Sequence, residues 1–231
     1  MQAVLFDLDG TLIDSSEAIV AALDASLDER GHPPVAPEAG RALIGLPLLV
    51  MFPRLIETPL DEAELHALIE AYRRHYVPLA HRLERTFDGV PALLRALVRA
   101  GRRLAIVTSK ATAGAEAALA RAGLREHFEV VLGYDAVTRP KPAPDLAQAA
   151  LAALGLPPDR AILVGDTDYD LEMGARAGVT SVGVGWGAHP RERLEAARPS
   201  AIVDDLPALA RVLGLSTEDL APSEREGSPT R

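Results

Sequence analysis

With 231 residues, 48% of them apolar, and no cysteine, the chain can bury a large core, and it excludes disulfides, thiolate metal sites and cysteine nucleophiles. Its net charge of −9 argues against nucleic acid or an anionic membrane surface as partner. No apolar run reaches the ~20 residues of a membrane span, and the start lacks the basic and long apolar regions of a secretory signal, so a cytoplasmic location is expected.

The first predicted strand is "AVLF", and it runs directly into Asp7 and Asp9 of "FDLDGTLID". Strand side chains alternate, so Asp7 and Asp9 point the same way at the strand's end, where two carboxylates repel. Leu8 between them points away and anchors the strand. Residues 15–81 then contain no strand run. Asp14 with Glu17, and Asp61 with Glu64, have the spacing of capping boxes that start helices. Leu65, Leu68, Ile69, Tyr72 and Tyr76 form a helical stripe that reads as core packing. Pro33, Pro34 and Pro37 divide the first helix from the next.

From residue 88 onward one pattern recurs. Ala/Leu-rich helical stretches end at Gly101, Gly123, Gly155 and Gly178, where a left-handed cap is expected. Each is followed by a β-branched run: "LAIVTS", "VVLGYD", "AILVGD" and "SVGVGW", with "SAIVDD" a sixth strand. Continuous apolar strands alternating with helices predict an α/β fold, a doubly wound parallel sheet with a Rossmann-like core. The expected organisation is a core over residues 1–14 and 82–215, an all-helical insert over 15–81, and a polar, mobile tail over 216–231.

Ligands of such sheets sit beyond the carboxyl ends of the strands. The strands deliver Asp7, Asp9, Gly10 and Thr11; then Thr108, Ser109 and Lys110; then, past the third, Lys141 in "RPKPAPD"; then Asp166, with Asp168 and Asp170 behind it. Clustered carboxylates suit Mg²⁺, which takes one or two of them together with phosphate oxygens and water. A lysine adds a point charge for phosphoryl oxygens, and a carboxylate can attack phosphorus while a second moves the proton. Asp166 and Asp170, four residues apart at a helix start, are expected to share a face. Asp168 reads as a turn or cap residue. The histidines, including His75 and His189, show no metal spacing and read as surface or packing residues.

At these positions the sequence resembles the haloacid-dehalogenase-like hydrolase superfamily. "DLDGT" matches its first motif, Thr108 its second, Lys141 in "RPKPAP" its third and "GDTDYD" its fourth, in order. The resemblance implies Asp7 as nucleophile and Asp9 as general acid and base. It implies that Thr108, with Ser109 beside it, and Lys141 hold the phosphoryl group. Asp7, Asp166 and the backbone carbonyl of Asp9 would bind Mg²⁺; Asp170 would bind it directly or through water, or orient Lys141. The insert is similar to the small cap domain of that family, and "RALIGLP" within it makes Arg41 a candidate substrate contact. "FDLDGTLIDS", "VTSK" and "KPAPD" look most like phosphoglycolate phosphatases and related pyrophosphate hydrolases. The implied partner is a small phosphorylated metabolite, as monomer or homodimer. The alternatives are a β-phosphoglucomutase-like phosphotransferase, a receiver-like regulatory module and an inactive relative.

Overall fold

The computed structural model describes residues 1–216 and 218–220. Six parallel strands form its sheet: β1 (Ala3–Phe6), β4 (Arg103–Val107), β5 (Val130–Leu132), β6 (Ala161–Gly165), β7 (Thr180–Val184) and β8 (Ala201–Val203). Their spatial order is β5-β4-β1-β6-β7-β8, the doubly wound order in which the chain reverses direction beside β1. Alternation explains why both faces are apolar. Ala3 and Leu5 of β1 enter one core cluster with Ala105, Val107 and Leu163. Val4 and Phe6 enter the other with Leu104, Ile106 and Val164.

Helices cover both faces: α5 (Val90–Arg99), α6 (Thr112–Arg121), α7 (Asp145–Leu154), α8 (Asp168–Ala177), α9 (Arg191–Ala196) and α10 (Leu206–Val212). The expected glycine caps are present, with φ of 72° at Gly101, 66° at Gly123, 62° at Gly155 and 72° at Gly178. The third strand is shorter than its run: Gly133 leaves β5, and residues 134–136 turn as a 3-10 helix.

Between β1 and β4 lie α1 (Ser16–Glu29), α2 (Pro37–Arg41), α3 (Leu48–Leu55) and α4 (Glu62–Leu83). They pack around a separate cluster that includes Ile19, Leu23, Leu27, Phe52, Leu68 and Tyr72. The Tyr72/Tyr76 stripe does face this cluster. A two-stranded antiparallel ribbon, β2 (Ile13–Asp14) against β3 (Arg85–Thr86), joins insert to core on both chain crossings.

Three local readings are corrected. Asp61 caps α4 through Glu64 N–H at 2.8 Å, but Asp14 does not cap α1. Asp14 is held in β2 opposite Arg85, and Ser15 takes the N-cap position without a side-chain cap bond. At α8 the cap is Thr167, reciprocated by Asp170, while Asp168 points outward to Arg193 at 2.8 Å and His189 at 3.0 Å. Asp166 precedes this helix, so it meets Asp170 across a bend rather than along one helical face. Of the tail expected over 216–231, residues 218–220 form a 3-10 turn that Arg99 holds through the Asp219 carbonyl at 2.7 Å; residue 217 and residues 221–231 lie outside the described residues.

Candidate active site

The crossover point of the sheet lies between β1 and its neighbours, and there the strand ends converge. Asp7 follows β1, and its N–H bonds to the Val164 carbonyl of β6 at 2.9 Å. Asp7, Asp166 and Asp170 are all buried, and each offers an oxygen within 4.8 Å of the others. Asp166 accepts from the Thr11 hydroxyl at 2.7 Å and from Ala188 N–H at 2.8 Å. Gly10 and Gly187 flank it because a Cβ at either position would overlap its carboxylate. Asp170 accepts from the Thr167 hydroxyl at 2.6 Å through one oxygen and from Lys141 Nζ at 2.5 Å through the other. Lys141, fully buried, also donates to Asp7 at 2.7 Å.

Three buried carboxylates therefore cluster, and two of them, Asp7 and Asp170, bind one ammonium. Burial raises the Asp7 carboxyl well above its usual range; Lys141 opposes this, and Asp170 and Asp166 reinforce it. Burial and Asp170 push Asp166 up to about 6, against the stabilising Ala188 N–H and Thr11 hydroxyl. Burial alone would lower the Lys141 pKa, but Asp170 and Asp7 outweigh it and the ammonium is strongly retained. This surplus of negative charge, made of hard oxygen donors in a dry cradle, fits a divalent cation such as Mg²⁺.

Asp9 lives in a different environment. Its Oδ1 accepts from the Ser15 hydroxyl at 2.8 Å, and its Oδ2 lies 3.1 Å from Lys110 Nζ. Its side chain is outside the acidic trio. Leu8, between the aspartates, is buried in the sheet core, as alternation requires. Lys110 also donates to the Tyr76 hydroxyl at 2.9 Å and stands 4.3 Å above that ring. Tyr76 donates in turn to Glu84, which pairs with Arg121 at 2.6 Å. A chain of polar contacts thus links the end of β4 to α4 of the insert.

Asp7, Asp9, Thr108 and Ser109 line one cavity between sheet and insert. Thr108 is buried at its floor. The Ser109 hydroxyl donates to the Gly45 carbonyl of the insert at 2.5 Å, so its side chain ties insert to core. Arg41 is exposed and is not among the residues lining this cavity. His189 is buried against Asp168, and His75 pairs with Glu29 at the surface, consistent with packing and surface roles. From the sequence, Lys110 stands at the rim without a role, and Tyr76 reads as core packing. Lys110 had a legible signal, two residues past Thr108 at a strand's end. Tyr76 had none, because its helical spacing is equally that of a core residue.

Residues 4–184 match the family model described as haloacid dehalogenase-like hydrolase. The chain is 40% identical over 205 residues to "Probable phosphatase IndB" of Dickeya dadantii, across 87% of this chain and 88% of that protein. It is 33% identical over 214 residues to the N-acetylmuramic acid 6-phosphate phosphatase of Pseudomonas aeruginosa, across 92% and 95%. The crystal structure titled as a predicted phosphoglycolate phosphatase from Haemophilus somnus superposes with a TM-score of 0.85 at 25% identity, across 92% and 98%. By its four motifs in place around one sheet crossover and by this match over most of its length, the chain belongs to the haloacid dehalogenase-like hydrolase family.

Proposed function

We propose that the protein is a Mg²⁺-dependent phosphatase that hydrolyses a small phosphomonoester through an aspartyl-phosphate on Asp7. The observation that carries this reading is the division of labour between Asp7 and Asp9. Asp7 faces Lys141 and the acidic trio, whereas Asp9 faces Ser15, Lys110 and the cavity. Two carboxylates in different surroundings can take different roles.

Asp7 attacks phosphorus, forming an acyl-phosphate bond as the ester P–O bond breaks. Asp9 gives its proton to the departing alkoxide oxygen. Asp9, now ionised, takes a proton from water, which attacks phosphorus and releases Asp7 and inorganic phosphate. Thr108 and Lys141 hold the phosphoryl oxygens, with Ser109 N–H or hydroxyl within the same turn. Asp7, Asp166 and the Asp9 carbonyl would hold the cation, with Asp170 binding it directly or through water, or orienting Lys141. When bound, Mg²⁺ neutralises charge on the carboxylates and on the transferring group. Residues 15–81 act as a cap domain that closes over the leaving group and excludes water.

The test is Asp7→Asn, assayed with 4-nitrophenyl phosphate and Mg²⁺. The expected loss in kcat is on the order of 10⁶-fold, the scale for removing a nucleophile. Undiminished turnover would refute the assignment.

A further inference from the structure

The names of the relatives do not choose a leaving group: one is named for a sugar acid phosphate and another for phosphoglycolate. The cavity above Asp9 does discriminate. We infer that the site takes phosphomonoesters whose alcohol half is bulky and mainly apolar; this rests on the phosphatase reading above.

Three observations support it. The cavity is about 560 Å³, the size class that holds drug-sized ligands rather than a two-carbon acid. It is bounded while the insert sits on the core, since Ser109 binds the Gly45 carbonyl, Lys110 binds Tyr76 and Arg193 binds the Ala42 carbonyl at 2.9 Å. The space is therefore a cleft held between the two layers and open to solvent on one side.

Its wall is hydrocarbon. Ile19, Ile44, Leu46, Leu48, Met51 and Val77 line it. A sugar or polyol there would lose water without replacement hydrogen bonds, which is unfavourable for every hydroxyl buried.

Its charged lining groups already have partners. Lys110 is paired with Asp9, and Arg73 at the mouth donates to Glu70 at 2.6 Å, so both lining cations have partners. Asp135 accepts from Thr112 N–H at 2.8 Å and from its hydroxyl at 2.7 Å. Among the described residues, the Tyr72 and Tyr134 hydroxyls lining the cavity are free, and Arg73, Lys110 and Asp135 each keep only the capacity left over from those partners. A carboxylate leaving group would have to compete with Asp9 or Glu70 for a lining cation, and a polyol would meet more hydrocarbon than polar surface. An alkyl or aryl group, with one or two polar atoms, would find a matching surface.

The experiment compares esters of primary alcohols, whose leaving groups have similar intrinsic reactivity: ethyl, n-hexyl and 2-phenylethyl phosphate, beside phosphoglycolate and glucose 6-phosphate. The expected kcat/KM for 2-phenylethyl phosphate exceeds that for ethyl phosphate on the order of 100-fold, given the tenfold or more that one methylene confers in a shaped apolar pocket. It also exceeds both polar esters. A flat alkyl series, or a polar ester ranked first, overturns the inference while leaving the phosphatase reading intact. Calorimetry on Asp7→Asn separates the wall from the chemistry: 2-phenylethyl phosphate should bind at least tenfold tighter than ethyl phosphate. Equal affinities there overturn the inference whatever the turnover data show.

Discussion

The two sides of the cavity solve opposite problems. On the sheet side, three buried carboxylates cluster, Asp7 and Asp170 held by Lys141 and Asp166 by Thr11 and Ala188. On the insert side, aliphatic side chains from α1, α3 and the loop before it face the same space with no fixed pairing. Polar groups in a dry place need specific partners, so the sheet side tolerates little change. Apolar walls need only volume and shape, so the insert side can vary while the chemistry stays. Changes on the sheet side should therefore alter rate and stability steeply, and changes on the insert side should alter which ester is chosen.

After Asp7→Asn, the largest expected effect comes from Lys141→Met. The ammonium is buried between Asp7 and Asp170, at 2.7 and 2.5 Å. Removing it leaves two uncompensated carboxylates, at a cost of about 3–5 kcal/mol of stability. Loss of its phosphoryl contact lowers kcat by about 10²–10³-fold. Chemical denaturation and steady-state kinetics read the two separately. A variant that retains both stability and rate would show that Lys141 is not the charge that the trio is built around.

How much of this was legible depended on where each residue sits. Asp7, Thr108 and Asp166 were readable because strand ends are easy to place, whereas Lys141, in the loop past β5, was readable only from its "RPKPAP" motif. Asp168 and Asp170 were harder. Both lie in the first turn of α8, and only the Thr167 hydroxyl decides that Asp170 turns inward as the capping partner and Asp168 outward to Arg193. Asp14 misled in the same way, since the β2–β3 ribbon, a contact between residues far apart in sequence, fixed it against Arg85. In the insert, the stripe through Tyr72 and Tyr76 gave the helix but not its neighbours. That Tyr76 reaches Lys110 depends on how α4 crosses the end of β4, and no local pattern encodes it.

A medium effect is expected from the cation, and it should depend on pH. In the fold Asp166 titrates near about 6, against 3.8 for an unperturbed carboxyl, and Asp7 is shifted in the same direction. Between those values the folded state keeps a proton that the unfolded chain has lost. The stabilisation from the protonated form is complete below about 4 and is lost as pH rises through about 6. Mg²⁺ favours the ionised trio and competes with those protons. The rise in melting temperature on adding Mg²⁺ should then be small near pH 5 and at least twice as large near pH 7.5. Equal rises at the two pH values would mean that the trio is not where the cation binds.

The smallest effect is expected from Tyr76→Phe, on the insert side. The substitution keeps the ring under Lys110, 4.3 Å from its ammonium, and removes only the hydroxyl that accepts from Lys110 and donates to Glu84. Glu84 keeps Arg121 at 2.6 Å, and Lys110 keeps Asp9 at 3.1 Å, so no charge is left alone. Stability should fall by about 1 kcal/mol, the usual net worth of one hydrogen bond. The insert is held to the core by fewer contacts, so KM should rise several-fold while kcat changes less than about threefold. A fall in kcat as deep as that of Lys141→Met would place Tyr76 and Lys110 with the chemistry of Asp9 rather than with closure. The boundary between the two sides of the cavity would then run through α4 and not along the end of β4.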